Sequence, residues 1–135
     1  MSTQLDFAAE VAFKQAYNGS LSGTTVVTSS AIDTATFGGL AVATSTGTTN
    51  INVNGSNAVE VSFLEGPTTD VADAVAIPAR RIIHNPDVVA SDTVVWASVK
   101  ADARYVFVRY TPKASVTAEV HTLAALGHAR DVPTY

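Results

Sequence analysis

Apolar residues recur at every second position through much of this chain. In 59–64, Val59, Val61 and Phe63 alternate with Glu60, Ser62 and Leu64; in 93–100, Val95, Ala97 and Val99 fall on one side and Val94, Trp96 and Ser98 on the other. A period of two marks a strand with two different faces. Similar alternation runs through RYVFVRYTP (104–112) and ASVTAEVHTLAAL (114–126). TTVVTSS (24–30) and FGGLAVATST (37–46) are rich in β-branched residues and read as further strands. Asn54-Gly55, set between two β-rich runs, predicts a two-residue hairpin turn. Asn18-Gly19 predicts another turn, and Pro78 and Asn85-Pro86 keep the segment between them out of a central strand.

The first segment is ambiguous. Leu5, Ala8, Ala9, Ala12 and Ala16 lie at helical spacing, whereas Phe7, Val11 and Phe13 keep the strand phase. Residues 1–22 are therefore expected to form an arm or short helix followed by a strand. About eight strands at spacings of roughly ten residues predict an all-β fold. An antiparallel β-sandwich, jelly-roll-like, is the expected architecture, with residues 1–135 as one domain. At the far end Gly127 permits a sharp departure from the last strand and Pro133 stiffens the exit, so 127–135 is predicted to be an extended C-terminal tail.

Composition narrows what such a body can do. The chain has 135 residues and no cysteine, which removes disulfides, thiolate metal sites and cysteine nucleophiles. Its formal net charge is −4, with Lys14 the only basic residue before Ala76. That balance argues against a nucleic-acid partner, which requires a concentrated basic footprint. No apolar run approaches the roughly 20 residues of a membrane-spanning helix, and no signal-peptide pattern opens the chain. A soluble protein without a membrane partner is expected.

Candidate chemistry is sparse. Glu119 and His121 share one strand face, but two ligands fall short of a zinc site, so a solvated face is the expectation. His84 is expected to cap a loop, and Asp70 and Asp73 to lie in a solvated one. Trp96, inside an apolar strand, is expected in the core. The string His128-Ala129-Arg130-Asp131 lacks the glycine-rich loop and metal-binding motif of a kinase. No serine occupies a G-x-S-x-G elbow. Neither a catalytic residue nor a cofactor or metal site is expected, and the protein is expected not to be an enzyme. His128, Arg130, Asp131 and Tyr135 instead read as hydrogen-bonding and ion-pairing handles on the tail, with Arg80 and Arg81 as a second candidate interface.

Three stretches together carry a family resemblance: AIDTATFGGLAVATSTGT (31–48), VEVSFLEGPTTDVADAVAIP (59–78) and ARYVFVRYTPKASVTAEVHTLAALGHARDVPTY (103–135). They resemble small virion proteins of tailed bacteriophages, capsid decoration or cement proteins among them. The resemblance implies a β-rich protein on the capsid surface, made in the bacterial cytoplasm and present in many copies. It implies the major capsid protein as partner and reinforcement of contacts between capsid subunits as function. Self-association, most simply as a trimer at a local threefold, would bury exposed strand edges. Two other readings compete: a carbohydrate-binding module displayed on the virion, and a tail or head–tail joining protein.

Overall fold

A computed structural model describes residues 12–35, 37–51, 56–84, 87–88 and 90–129. These residues form an all-β antiparallel sandwich. The strands are β1 (Ala12–Gly23), β2 (Val27–Thr28), β3 (Ile32–Asp33), β4 (Phe37–Thr49), β5 (Val59–Gly66), β6 (Val75–Ala76), β7 (Ile82–Ile83), β8 (Val94–Val99), β9 (Tyr105–Pro112) and β10 (Val116–Ala129). One sheet runs β1-β10-β4-β8-β7; the other runs β2-β9-β5-β6, with β3 also on β9. The chain crosses between layers after β1, β3, β4, β6, β8 and β9. Sequence neighbours therefore rarely pair, and most of the core is built from distant segments.

Alternation placed the main strands because each has one face turned into the gap between sheets. Val116, Ala118, Val120, Ala124 and Leu126 of β10 meet Val59, Val61, Phe63, Val106, Val108 and Tyr110 of β5 and β9 in one buried cluster. Burying each large side chain stabilises the fold by roughly 1.5–3 kcal/mol. One polar chain spans the core: the Tyr110 hydroxyl on β9 hydrogen-bonds Thr122 Oγ1 on β10, which lies 3.2 Å from Thr44 Oγ1 on β4. These hydroxyls satisfy one another, as buried polar groups must.

Alternation fails in two places for identifiable reasons. In β1 the pairing with β10 slips between Gln15 and Tyr17, so one extra residue, Ala16, is accommodated. Both Ala16 and Tyr17 pack against the core, and the strand phase changes across the bulge. That slip is why the segment carries mixed periodicities. In β5, Leu64 lies opposite Phe107 and both are buried, while the next residue, Glu65, is buried as well.

One expected turn is corrected. Asn18 and Gly19 lie inside β1, opposite His121 and Val120. Gly19 serves packing there: a Cβ would come within 2.8 Å of the Tyr17 hydroxyl oxygen. The strand stops instead at Gly23, whose φ of +66° suits glycine. Asn54 and Gly55 lie outside the described residues; the described strand β5 pairs with β6 and β9. The connection from β4 to β5 crosses between sheets. TTVVTSS yields only the short β2.

At the opposite end of the chain, β10 continues through Gly127 to Ala129, paired with Gly39 and Phe37 of β4. Gly127 does not begin a tail. The expected arm, residues 1–11, and residues 130–135 lie outside the described residues.

A candidate docking face

The outer face of the first sheet is the most distinctive surface of the described residues. Cross-strand register assembles it in rows. Phe13, Ala125, Ala41, Ser98 and Ile83 form one row across all five strands. Gln15, Leu123, Ala43 and Trp96 form the next, and His121, Ser45 and Val94 a third. Phe13, Leu123, Trp96, Ile83 and Val94 are all exposed. Single exposed apolar side chains are ordinary; several large ones sharing one face are not. A shallow depression of about 310 Å³ lies over this face, bounded by Gln15, Ala43, Ser45, His121, Thr122 and Leu123.

Trp96 corrects the sequence expectation. It is 49 % exposed rather than in the core. Both faces of β8 are apolar, and it is Ala97 and Val99 that are buried. The indole is held by His84, whose ring centroid lies 4.1 Å away in an edge-on arrangement. His84 follows β7 with φ of 73°, a left-handed conformation uncommon for a residue with a side chain. Glu119 and His121 occupy the exposed side of β10, as expected.

The arginine pair separates into two roles. Arg81 is taken up inside the fold. Its guanidinium donates to both carboxylate oxygens of Glu65, from Nη1 at 3.1 Å and Nη2 at 2.5 Å, and to the carbonyl of Lys100. Glu65 also accepts from the backbone N–H groups of Asp102 and Ala103. The Arg81 hydrogen bonds hold the Glu65 carboxyl below its usual range, against the opposing effect of burial. As an interface residue Arg81 is therefore corrected: it ties the segment before β7 to β5 and to the β8–β9 loop. Arg80 remains exposed.

A second fork escaped the sequence reading. Asp33, the only charge between Gly19 and Ala58, accepts from Arg104 Nε and Nη2, both at 3.0 Å, and from the Ala35 amide. The Arg104 guanidinium, followed by that amide, lowers its carboxyl to about 2. Neither fork has a spacing signature, since their members are 16 and 71 residues apart.

The remaining handles have a common direction. Leu126, Leu40, Val99 and Ile82 form one cross-strand row, and the next positions along those strands are Gly127, Gly39, Lys100 and Arg81. Exposed Arg80 and Lys100 thus lie at the end of the sheet where β10 finishes with Gly127, His128 and Ala129. Arg130, Asp131 and Tyr135 lie outside the described residues.

Comparison with known proteins locates the chain by fold alone. No family model matches, and no curated protein matches at a significant level. Among solved structures, the PBSX exported protein XepA superposes with a TM-score of 0.59 at 14 % identity, over 92 % of this chain and 40 % of XepA. The chain thus spans well under half of XepA. A Bacillus endospore appendage protein, described as forming disulfide-linked pili, superposes with a TM-score of 0.50 at 12 % identity over 89 % of both chains. These likenesses show a shared two-sheet β fold.

Proposed function

We propose that this protein is a structural component of a tailed-phage virion that binds the outer surface of the capsid and reinforces contacts between major-capsid subunits, without catalysing a reaction. The observation that carries the reading is the resemblance over 31–48, 59–78 and 103–135, which falls on β4, β5, β9 and β10, the strands that build the core. The fold shared with XepA of PBSX is in keeping with it. The physical design also suits the task. Long-range strand pairing makes a rigid body, and both described ion-pair forks act as internal ties.

Attachment is assigned to the end of the first sheet that carries Arg80, Lys100 and the exit of β10. From there Arg130, Asp131, Tyr135 and His128 supply the clasp, an arginine being suited to hold a neighbouring carboxylate. Contacts that are weak singly become strong when several engage on one particle.

Truncation tests this. Because β10 pairs with β4 as far as Ala129, the chain should be cut after Ala129. The truncated protein is expected to keep the melting temperature of the full chain within a few degrees. Its occupancy on purified shells should fall about tenfold or more, the loss of one arm of a multivalent attachment. Full occupancy by the truncated chain would contradict the clasp.

A further inference from the structure

We infer that the outer face of the first sheet is a self-association surface, against which a second copy of this chain packs face to face about a twofold axis. This goes beyond the attachment proposed above and does not depend on it. The sequence alone suggested a threefold built on strand edges; the structure offers a face instead.

Neutrality is the first reason for choosing a second copy. Across the three rows described above, no position is occupied by aspartate, glutamate, lysine or arginine, although the sequence has twenty such residues. In a twofold contact a surface meets its own image, and an uncharged one meets no repulsion wherever the axis lies. A partner with a charged surface would call for complementary charges, and these three rows have none to give. A face emptied of charge and lined with large apolar groups fits its own image.

Relief is the second. Ala41, Ala43 and Ala125 make a floor of small side chains on β4 and the adjoining end of β10, bordered on its far side by exposed Leu123. Trp96 and Val94 on β8, with Ile83 on β7, stand beside it as a ridge. A twofold axis offset from the floor lays each ridge on the other copy's floor, which is how stacked sheets interdigitate at about 10 Å. His84 packed edge-on against Trp96 fixes the ridge before contact, so little side-chain freedom is lost on pairing.

Size is the third. Rows of five, four and three positions, with strands about 4.8 Å apart and rows about 7 Å apart, cover roughly 400 Å². Two copies would bury about 800 Å², the size of a weak, transient contact. The pair is therefore expected to be reversible, with dissociation in the micromolar range.

The test is sedimentation of the full-length protein over a concentration series, with Ala43→Glu as the disrupting variant. Ala43 points outward from the middle of the floor, so the variant should fold, which circular dichroism and an unchanged melting temperature verify. Wild type is expected to pass from monomer to dimer mass, and Ala43→Glu to shift that transition more than about tenfold upward, because each new carboxylate is buried unpaired against the other copy's apolar ridge. As a second arm, Ala43→Cys in this cysteine-free chain should be joined between copies by a bifunctional thiol crosslinker that spans about 10 Å, the spacing of stacked sheets, whereas Glu119→Cys on the same strand face, outside the three rows, should not. A wild type that stays monomeric through the micromolar range, or a dimer indifferent to Ala43→Glu, overturns the inference. So does a monomer that uses this face for another occupant, shown by Ala43→Glu abolishing shell binding or binding to a glycan array. Failure of self-association leaves the tail clasp intact, and the truncated chain should still dimerise, so the two proposals fail separately.

Discussion

Glu65→Ala is expected to lower folding stability by about 3 kcal/mol, the scale for removing one partner of a buried ion pair, and the melting temperature by about 10 °C. Glu65 is 6 % exposed. It accepts two hydrogen bonds from Arg81 and one each from the amides of Asp102 and Ala103. The substitution strands a guanidinium in a half-buried site and leaves two N–H groups without their acceptor, so the cost exceeds the net value of the pair itself. Chemical denaturation of the variant, read by fluorescence and circular dichroism, measures it. Asp102, at 3.2 Å from Arg81 but largely exposed, cannot substitute for it; Asp102→Ala should cost far less.

The same carboxylate sets an acid limit. A value depressed in the folded protein contributes stability at any pH above the unfolded value, near 4.3 for glutamate, and that contribution is lost as pH falls through the folded value. Stability should therefore begin to fall below about pH 4. Asp33, held at about 2, extends the loss to lower pH, with a smaller share because the Arg104 fork is open to solvent. In Glu65→Gln the acid slope should be shallower than in wild type. An unchanged slope would show that the pair contributes nothing to the acid limit.

Tyr110→Ala is the second large effect, at about 4 kcal/mol, and Tyr110→Phe should cost only about 1 kcal/mol. Tyr110 has no exposed surface, and its ring packs with Tyr17 at 5.4 Å between centroids. Alanine leaves a cavity where the two sheets meet. Phenylalanine keeps the volume and leaves Thr122 and Thr44 bonded to each other. The contrast decides whether ring packing or the hydroxyl network holds the layers together. Equal losses from the two substitutions would favour the network. Burial pushes the Tyr110 hydroxyl up to about 12, above the unfolded value near 10. Its contribution is thus complete below pH 10 and lost as pH rises towards 12, a base limit that Tyr110→Phe should soften.

Legibility in the sequence followed the physics of each segment. Period-two patterning placed β5, β8, β9 and β10 because each has a solvent or docking side and a core side. Patterning cannot say which of two apolar sides is inward, and so Trp96 was misplaced. Turn chemistry was over-read at Asn18-Gly19, where the glycine admits the Tyr17 ring. Arg80 and Arg81 are adjacent, yet one is exposed and the other serves the fold; only the partner across the sandwich distinguishes them. The exposed apolar face was hidden for a related reason. Its residues come from five strands far apart in sequence, and register alone makes them neighbours.

The shell-coating role proposed above would need rigidity, a grip and a way to order copies, and these demands would fall on separate parts of the molecule. The sandwich core would give the first, the end of the sheet beyond Leu126 the second, and the uncharged outer face the third. The separation lets one substitution be judged without disturbing the others.

The most direct measurement is a cryo-EM map of intact particles carrying the protein, at a resolution that traces strands. Two-sheet density repeated over the outer facets of the head, each copy reaching across a junction between capsid subunits, is the predicted result. Density confined to a single ring at the neck or to the tail, or an undecorated head, would contradict the account.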